Sequence, residues 1–440
     1  MRVAFIRSVI LAALLALPAA HAADDLMTVY REAVRSDPVL RQAEAARAVT
    51  AERLPQARSA LLPSLSASGS YNWTETDDND WTGSSLGLQA SQPIFRYSAL
   101  VLQRQARALV SQADLELEAA RQELILRVAE RYFAVLAAES SVRLAEAELT
   151  AIERQLEQAE QRLEVGLIPI TDVEEARARR DLARSGLIVA ENDRASALEA
   201  LRELTGREHV AVRPLPSDIP LWRPDPADPA YWREAAEAGN PRLQALRRAT
   251  EASRHQINVQ RGDRYPSVDL TASASRDDSS RTGRDPITGA AVSSSATDTF
   301  RVGVQVQVPL FQGGRLSSQV REAEYRHTEI FERLQEVTRN IQRGVHDAYR
   351  GVESSRLQVR ALEQALRSTQ RALNAVEAGF RAGTRTTVDV LDAQREYFRA
   401  EAEYASAIYN HVLSTLQLRQ LAGDVDVEDL ERINAMLESA

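Results

Sequence analysis

The chain has 440 residues, a net charge of −9, no cysteine and only 5% aromatic residues against 27% charged ones. That balance excludes a general nucleic-acid binder, and the missing cysteine excludes disulfides, thiol catalysis, cysteine metal sites and a lipidated N-terminal cysteine. Its Ala, Leu, Glu, Arg and Gln content is that of long helices and coiled coils, and all its basic residues are arginine.

Residues 1–22 read as a secretory signal peptide: Arg2 and Arg7, an apolar run from Val9 to Leu17, then Ala20-His21-Ala22 as a cleavage site. No later apolar stretch reaches the about 20 residues of a membrane-spanning helix, so any crossing has to use strands. Two helices, Leu26 to Arg35 and Pro38 to Ala60, are expected next, separated by the cap signal Asp37-Pro38. Asn240-Pro241 repeats that signal before a helix to about Asp263.

The period then changes to two. Leu65, Ala67, Gly69, Tyr71 and Trp73 alternate with Ser64, Ser66, Ser68, Ser70 and Asn72; beyond a polar turn from Glu75 to Asp80, Leu86, Leu88 and Ala90 alternate with Ser85, Gln89 and Ser91. Val268 to Ala274 and Val302 to Val308 alternate in the same way, so hairpins are expected over about 62–95 and about 265–311. The pattern fits a small soluble sheet with one buried face as well as membrane strands. Tyr71, Trp73, Trp81 and Phe300 near the tips, and polar faces with little to pack, favour the membrane.

Each hairpin leads into a long Pro-free helix, about 96–163 and about 314–378, each about 100 Å long at 1.5 Å per residue. Ala138, Val142, Ala145, Leu149, Ile152, Leu156, Ala159 and Leu163 step by four and three, as do Val359, Leu362, Leu366, Thr369, Leu373, Val376 and Phe380, the seam of a coiled coil. A solitary two-helix coiled coil would carry the same seam. Glycines at 166, 379 and 383 end these helices, and returning helices follow over about 171–205 and about 388–422.

The chain is therefore duplicated: Gly166-Leu167-Ile168-Pro169-Ile170-Thr171-Asp172-Val173 is answered about 217 residues later by Gly383-Thr384-Arg385-Thr386-Thr387-Val388-Asp389-Val390. Leu62-Pro63-Ser64-Leu65 is answered by Tyr265-Pro266-Ser267-Val268, and Gln92-Pro93-Ile94-Phe95 by Val308-Pro309-Leu310-Phe311. The expected organisation is a first repeat over 23–213, a Pro-rich equatorial linker over 214–238, a second repeat over 239–423 and an acidic equatorial tail over 424–440. Four strands cannot close a barrel, and an open sheet exposes unpaired backbone groups to lipid. Two chains would supply eight strands, filled by side chains, and three would supply twelve, leaving a channel.

The second glycine motif, extended through Leu391-Asp392-Ala393 to Leu421-Ala422-Gly423, together with its first-repeat counterpart and the Leu-Pro-Ser-Leu and Pro-Leu-Phe-Gln-Gly-Gly segments, resembles the TolC family of outer-membrane channel proteins. The resemblance covers essentially the whole chain after the signal. It implies a mainly α protomer with a β-barrel part, three copies forming a 12-stranded outer-membrane β-barrel continuous with a long α-helical periplasmic tunnel. It further implies docking to an inner-membrane transporter through a periplasmic adaptor (a membrane fusion protein), for small-molecule efflux, type I protein secretion or both. A soluble periplasmic coiled-coil adaptor or scaffold is the alternative.

Asp389 and Asp392 lie three apart on one helical face. By spacing alone they read as acids complementing a helix dipole more readily than as a pore ring. The resemblance implies the ring, a constriction of close carboxylates that favours cations and raises some of their own pKa values. Arg385 by itself reads as a surface arginine near a turn. The resemblance implies an entrance latch made with Thr171 and Asp172, and Phe380 departs from the family pattern, which carries a tyrosine there. His21, His209, His255, His327, His346 and His411 show no metal-ligand spacing, Phe311-Gln312-Gly313-Gly314 lacks the Gly-Lys-Ser/Thr of a phosphate loop, and neither cofactor nor enzymatic activity is expected.

Overall fold

A computed structural model describes residues 23–76, 79–216, 219–282 and 295–437. The signal segment, most of the second hairpin's tip and the last three residues lie outside the described residues. Elements run in the order α1 (Leu26–Ser36), α2 (Pro38–Ala51), α3 (Arg53–Ser59), β1 (Ser64–Thr76), β2 (Asn79–Phe95), α4 (Tyr97–Glu164) and α5 (Ile170–Thr205). The second half gives α6 (Pro229–Gly239), α7 (Pro241–Gly262), β3 (Ser267–Thr282), β4 (Ser295–Gln307), α8 (Arg315–Arg381), α9 (Thr387–Ala422) and α10 (Val427–Asn434). Among the described residues no helix is long and apolar enough to cross a membrane.

Where one helix was expected over Pro38 to Ala60, the structure has two, interrupted at Glu52. Pro55 has no N–H to give the carbonyl of Ala51, and the first helix loses its pattern there. The polar turn expected from Glu75 to Asp80 is also shorter, because pairing continues through Glu75↔Asp80 to Thr76↔Asn79. Polar side chains do not oppose pairing near a hairpin tip, where water can solvate them.

The chain forms two compact units, and each draws on both sequence repeats. Of the described residues, those up to 42, over 119–240 and from 341 onward form one; those over 43–118 and 241–340 form the other.

The first unit holds the aromatic core. Tyr132 and Phe133 are fully buried on α4, and the Phe133 ring stacks on Tyr409 of α9 with centroids 5.4 Å apart. Burial costs the Tyr132 hydroxyl its water, and it recovers a partner by donating to the Arg213 carbonyl at 2.8 Å. That bond ties α4 to the segment after α5, where Asp24 and Val212 form an isolated parallel bridge. Gly423, at φ +79°, ends α9 in the left-handed conformation that glycine takes without steric cost. It also meets α6 so closely that a Cβ would collide with the Gly239 carbonyl oxygen. The tail beyond it forms α10, whose Asp429 and Arg432 line a cavity of about 310 Å³ with Trp222, Asp225 and Trp232 of the linker side.

Asp37, between α1 and α2, is 1% exposed. Its Oδ2 accepts from the Leu40 N–H at 2.9 Å, capping α2, and from Arg127 Nη2 of α4 at 2.6 Å. The cap seen in the sequence is thus also one half of a buried ion pair, which the local pattern could not reveal.

The second unit holds the sheet, in the order β1-β2-β3-β4, all antiparallel. Register decides its character, because residues directly opposite share a face. Leu65↔Ala90, Ala67↔Leu88 and Gly69↔Leu86 join β1 to β2. Leu88↔Ala274 and Ala90↔Ala272 join β2 to β3, and Leu270↔Val304 and Ala272↔Val302 join β3 to β4. Every apolar position of the alternation therefore falls on one face. Ser66↔Gln89, Gln89↔Ser273 and Ser273↔Arg301 are on the other.

Nothing among the described residues covers the apolar face: Phe300 is 75% exposed and Val304 61%. Tyr71, Trp73, Leu65 and Leu86 are exposed with them. Leu65 to Trp73 span roughly 27 Å of strand, or about 20 Å after barrel tilt, close to the apolar band of an outer-membrane barrel. Beyond the aromatic level the same face turns charged, with Arg276 opposite Asp298.

The buried ion pair gives a direct test of the first unit. Replacing Arg127 by alanine leaves Asp37 buried without its countercharge, and a loss of about 3 kcal/mol is expected. Denaturant unfolding of Arg127→Ala against the parent checks it; Arg127→Lys should recover part of the loss.

Candidate functional site: the two coil turns

Both long helices end by the same mechanism. Gly166 at φ +74° donates to the Leu163 carbonyl at 2.9 Å, and the Leu167 N–H reaches back to Arg162 at 2.9 Å. Gly383, also at φ +74°, donates to the Phe380 carbonyl at 3.0 Å, and the Thr384 N–H reaches Gly379 at 2.9 Å. These are Schellman closures, in which a left-handed glycine lets two orphan helix carbonyls find donors. They place Phe380 in the position that Leu163 holds in the first repeat.

The returning helices start differently. Pro169 precedes α5 and makes no side-chain cap bond, while Val173 is fully buried and packs with Leu156 and Ala176, flanked by Ala159, Leu163 and Ile168. The first turn is thus held by an apolar plug. α9 starts with a capping box: the Thr386 hydroxyl accepts from the Asp389 N–H at 3.2 Å, and Asp389 Oδ2 accepts from the Thr386 N–H at 2.8 Å.

These bonds set the electrostatics of Asp389. The Thr386 N–H, then its hydroxyl, hold the carboxyl below its ordinary range, and Arg385 lowers it further. The upward shift expected of a carboxylate ring is not present within one protomer. Asp392 lies one turn on, 3.4 Å from Arg395. It borders a groove of about 830 Å³ walled by Ala145 and Ile152 of α4, Leu182 and Gly186 of α5, and Leu391 of α9.

Arg385 is more than half exposed, and its Nη1 is 3.9 Å from Asp389 Oδ1. Its alkyl stem crosses Gly379, where an added Cβ would stand 2.8 Å from Arg385 Cγ. Glycine at 379 thus leaves room for the arginine stem. Thr171 and Asp172 are exposed in the first turn of α5, the Thr171 hydroxyl 3.4 Å from Asp172 Oδ1. Among the described residues no hydrogen bond or ion pair joins Arg385 to Thr171 or Asp172. Phe380 is about two-fifths exposed.

The structure therefore brings Arg385, Asp389 and Phe380 to one turn, and Thr171 and Asp172 to the other. Gly379, expected to end the long helix, lies inside α8, which runs to Arg381, and two contributions at this turn differ from the sequence expectation. Thr386-x-x-Asp389 has the spacing of a capping box and could have been found; Gly379 under Arg385 needed coordinates. Among the described residues no cluster of His, Asp and Glu could hold a metal ion.

The fold agrees with known proteins. The chain matches the family described as outer membrane efflux protein over residues 29–207 and 232–424, and it belongs to that family. It is 34% identical to the outer membrane protein TolC of Vibrio cholerae, over 98% of this chain and 97% of that one. It is also 29% identical to the alkaline protease secretion protein AprF of Pseudomonas aeruginosa, over 93% of this chain and 86% of the other. Among solved structures, the CmeC outer membrane channel of Campylobacter jejuni superposes with a TM-score of 0.73 at 18% identity, covering 94% of this chain and 90% of its own. The fold is that of an outer-membrane channel protomer, mainly helical with a β-barrel part, and not that of a soluble scaffold.

The capping box predicts an acid response. Because the carboxyl of Asp389 is depressed in the folded protein, its contribution is complete above the ordinary carboxylate range and is lost as pH falls through the lowered value. Thr386→Val removes the hydroxyl that caps α9. Amide exchange at Val390 and Leu391 should speed up in that variant, with exchange along the distal part of α9 unchanged.

Proposed function

We propose that the protein is the outer-membrane exit duct of a multi-component export system. Three copies close their sheets into one 12-stranded barrel, and their helices form a periplasmic tunnel continuous with it. The observation that carries this reading is the sheet: four strands in one register, a bare apolar face, a polar opposite face and two open edges. Lipid covers the bare face, and only closure satisfies the edges, since each unpaired backbone group in hydrocarbon costs several kcal/mol. Eight strands would leave an interior filled by side chains; twelve leave a polar lumen of Ser, Thr, Gln and Arg.

The duct is passive. It meets a periplasmic adaptor and an inner-membrane transporter, which supply energy and choose the cargo. A family described by efflux and a relative named for protease secretion support both small molecules and type I secreted proteins as cargo classes.

The coil turns form the periplasmic entrance. Asp389 and Asp392 of three protomers make two stacked rings of carboxylates that select cations. The ring's mutual repulsion acts against the capping bonds, so the two effects on Asp389 have opposite signs. Arg385 latches its turn to Thr171 and Asp172 of a neighbouring coil. Half-exposed partners suit a latch that must break, because exposed ion pairs contribute little. Phe380 adds an apolar contact where the family pattern has a hydroxyl, so this latch depends more on packing.

Planar-bilayer recordings test the entrance. Asp389→Ala and Asp392→Ala should bring the cation preference toward unity and weaken block by multivalent cations, and Arg385→Ser should raise conductance. Unchanged selectivity in both aspartate variants would remove the ring, and unchanged conductance in Arg385→Ser would remove the latch.

A further inference from the structure

The internal repeat and the observed sheet together fix a contact between copies. β1 is the counterpart of β3, because Leu62-Pro63-Ser64-Leu65 answers Tyr265-Pro266-Ser267-Val268. β4 is the counterpart of β2, because Gln92-Pro93-Ile94-Phe95 answers Val308-Pro309-Leu310-Phe311. The β2–β3 ladder therefore joins the end of one repeat to the start of the next within one chain. In a closed ring the same junction recurs between chains, with β4 meeting β1 of the next copy.

We propose that the β4–β1 ladder between protomers copies the register of the β2–β3 ladder within a protomer, an inference that rests on the trimeric barrel above. The template pairs are Gln92↔Leu270, Ala90↔Ala272, Gln89↔Ser273, Leu88↔Ala274 and Leu86↔Arg276. Carried to their counterparts, they pair Val308 with Ala67, Val306 with Gly69, Gln305 with Ser70, Val304 with Tyr71 and Val302 with Trp73 of the neighbour.

Three independent observations agree with this register. The first is facial parity. Each carried pair joins apolar to apolar or polar to polar, so the bare face and the polar face both run unbroken across the junction. A slip of one residue would reverse every side chain of one strand relative to the other.

The second is a set of unused groups. β2 stays paired through Phe95, past a register shift between Pro93 and Phe95. β4 ends at Gln307, opposite Ser267, the first residue of β3. The counterpart residues Leu310 and Phe311 are left 92% and 87% exposed. The carried register gives Phe311 a partner in Leu65 of the next copy and Leu310 the place of Ile94 in the irregularity.

The third is a matched loss of charge. Arg96 lies 3.1 Å from Asp269 at the base of the template junction. The counterparts at the proposed junction are Gln312 and Ser66, both neutral. Had only one member changed, a lone charge would remain at the barrel's base. Both changed, which leaves a donor facing an acceptor.

Oxidative cross-linking tests the register, and the cysteine-free chain gives it no background. Ser70→Cys with Gln305→Cys is the proposed pair, directly comparable to Gln89→Cys with Ser273→Cys within the chain. Ser68→Cys or Asn72→Cys with Gln305→Cys represents a slip of two residues, where the Cα separation exceeds disulfide reach. In detergent-extracted protein, the proposed pair should give covalent trimer at least about fivefold above either slipped pair, reversed by reductant. A slipped pair that matches or exceeds it overturns the register. So does a failure of the proposed pair in protein that still runs as a non-covalent trimer and oxidises the Gln89/Ser273 pair. Protein that runs as a monomer while oxidising that internal pair refutes the trimeric barrel itself, and the register with it.

Discussion

A hydrogen-bonded sheet cannot end in lipid. Among the described residues the second unit has four strands, an apolar face that nothing covers and two edges without a strand partner. In water the bare face would drive aggregation, and in lipid the edges would be intolerable. Membrane and closure have to come together. This requirement accounts for the duplication, since each repeat supplies one hairpin and the ring needs a whole number of chains. It also fits the alternation, which turns one face to lipid and the other to a wet lumen.

The rest of the chain serves the same closure from a different kind of packing. The long helices carry small and apolar residues at coiled-coil spacing, and the seam positions Leu156, Val359 and Leu373 are buried. Their turns rely on glycines at positive φ, and the two turns then diverge. The first is secured by the Val173 plug and a proline, the second by hydrogen bonds of Thr386 and Asp389 that water and protons can reach. A hydrophobic turn resists opening, whereas a polar one with an arginine folded over Gly379 has alternatives.

Much of this was legible in the sequence because it rests on periodicity. Period-two alternation marked the strands, and the step of four and three marked the helices. Glycine and proline marked the turns, and the repeat cross-checked each. What stayed hidden rests on contacts distant in sequence. Asp37 reads as a cap, and only the fold shows Arg127 across from it. The interruption at Glu52 follows from Pro55, a local signal outweighed by the surrounding helical pattern. Arg385 and Asp172 were joined by resemblance to a family. In one protomer they occupy separate turns, and no bond joins them among the described residues.

The four-stranded sheet is one third of a membrane barrel. The most direct measurement is the protein mass of the detergent-solubilised particle, determined by light scattering on protein extracted from the outer-membrane fraction. Three chains per particle are expected, with no folded protein recovered in the soluble periplasmic fraction. A monodisperse particle of one or two chains, or a folded monomer stable without detergent, would contradict it.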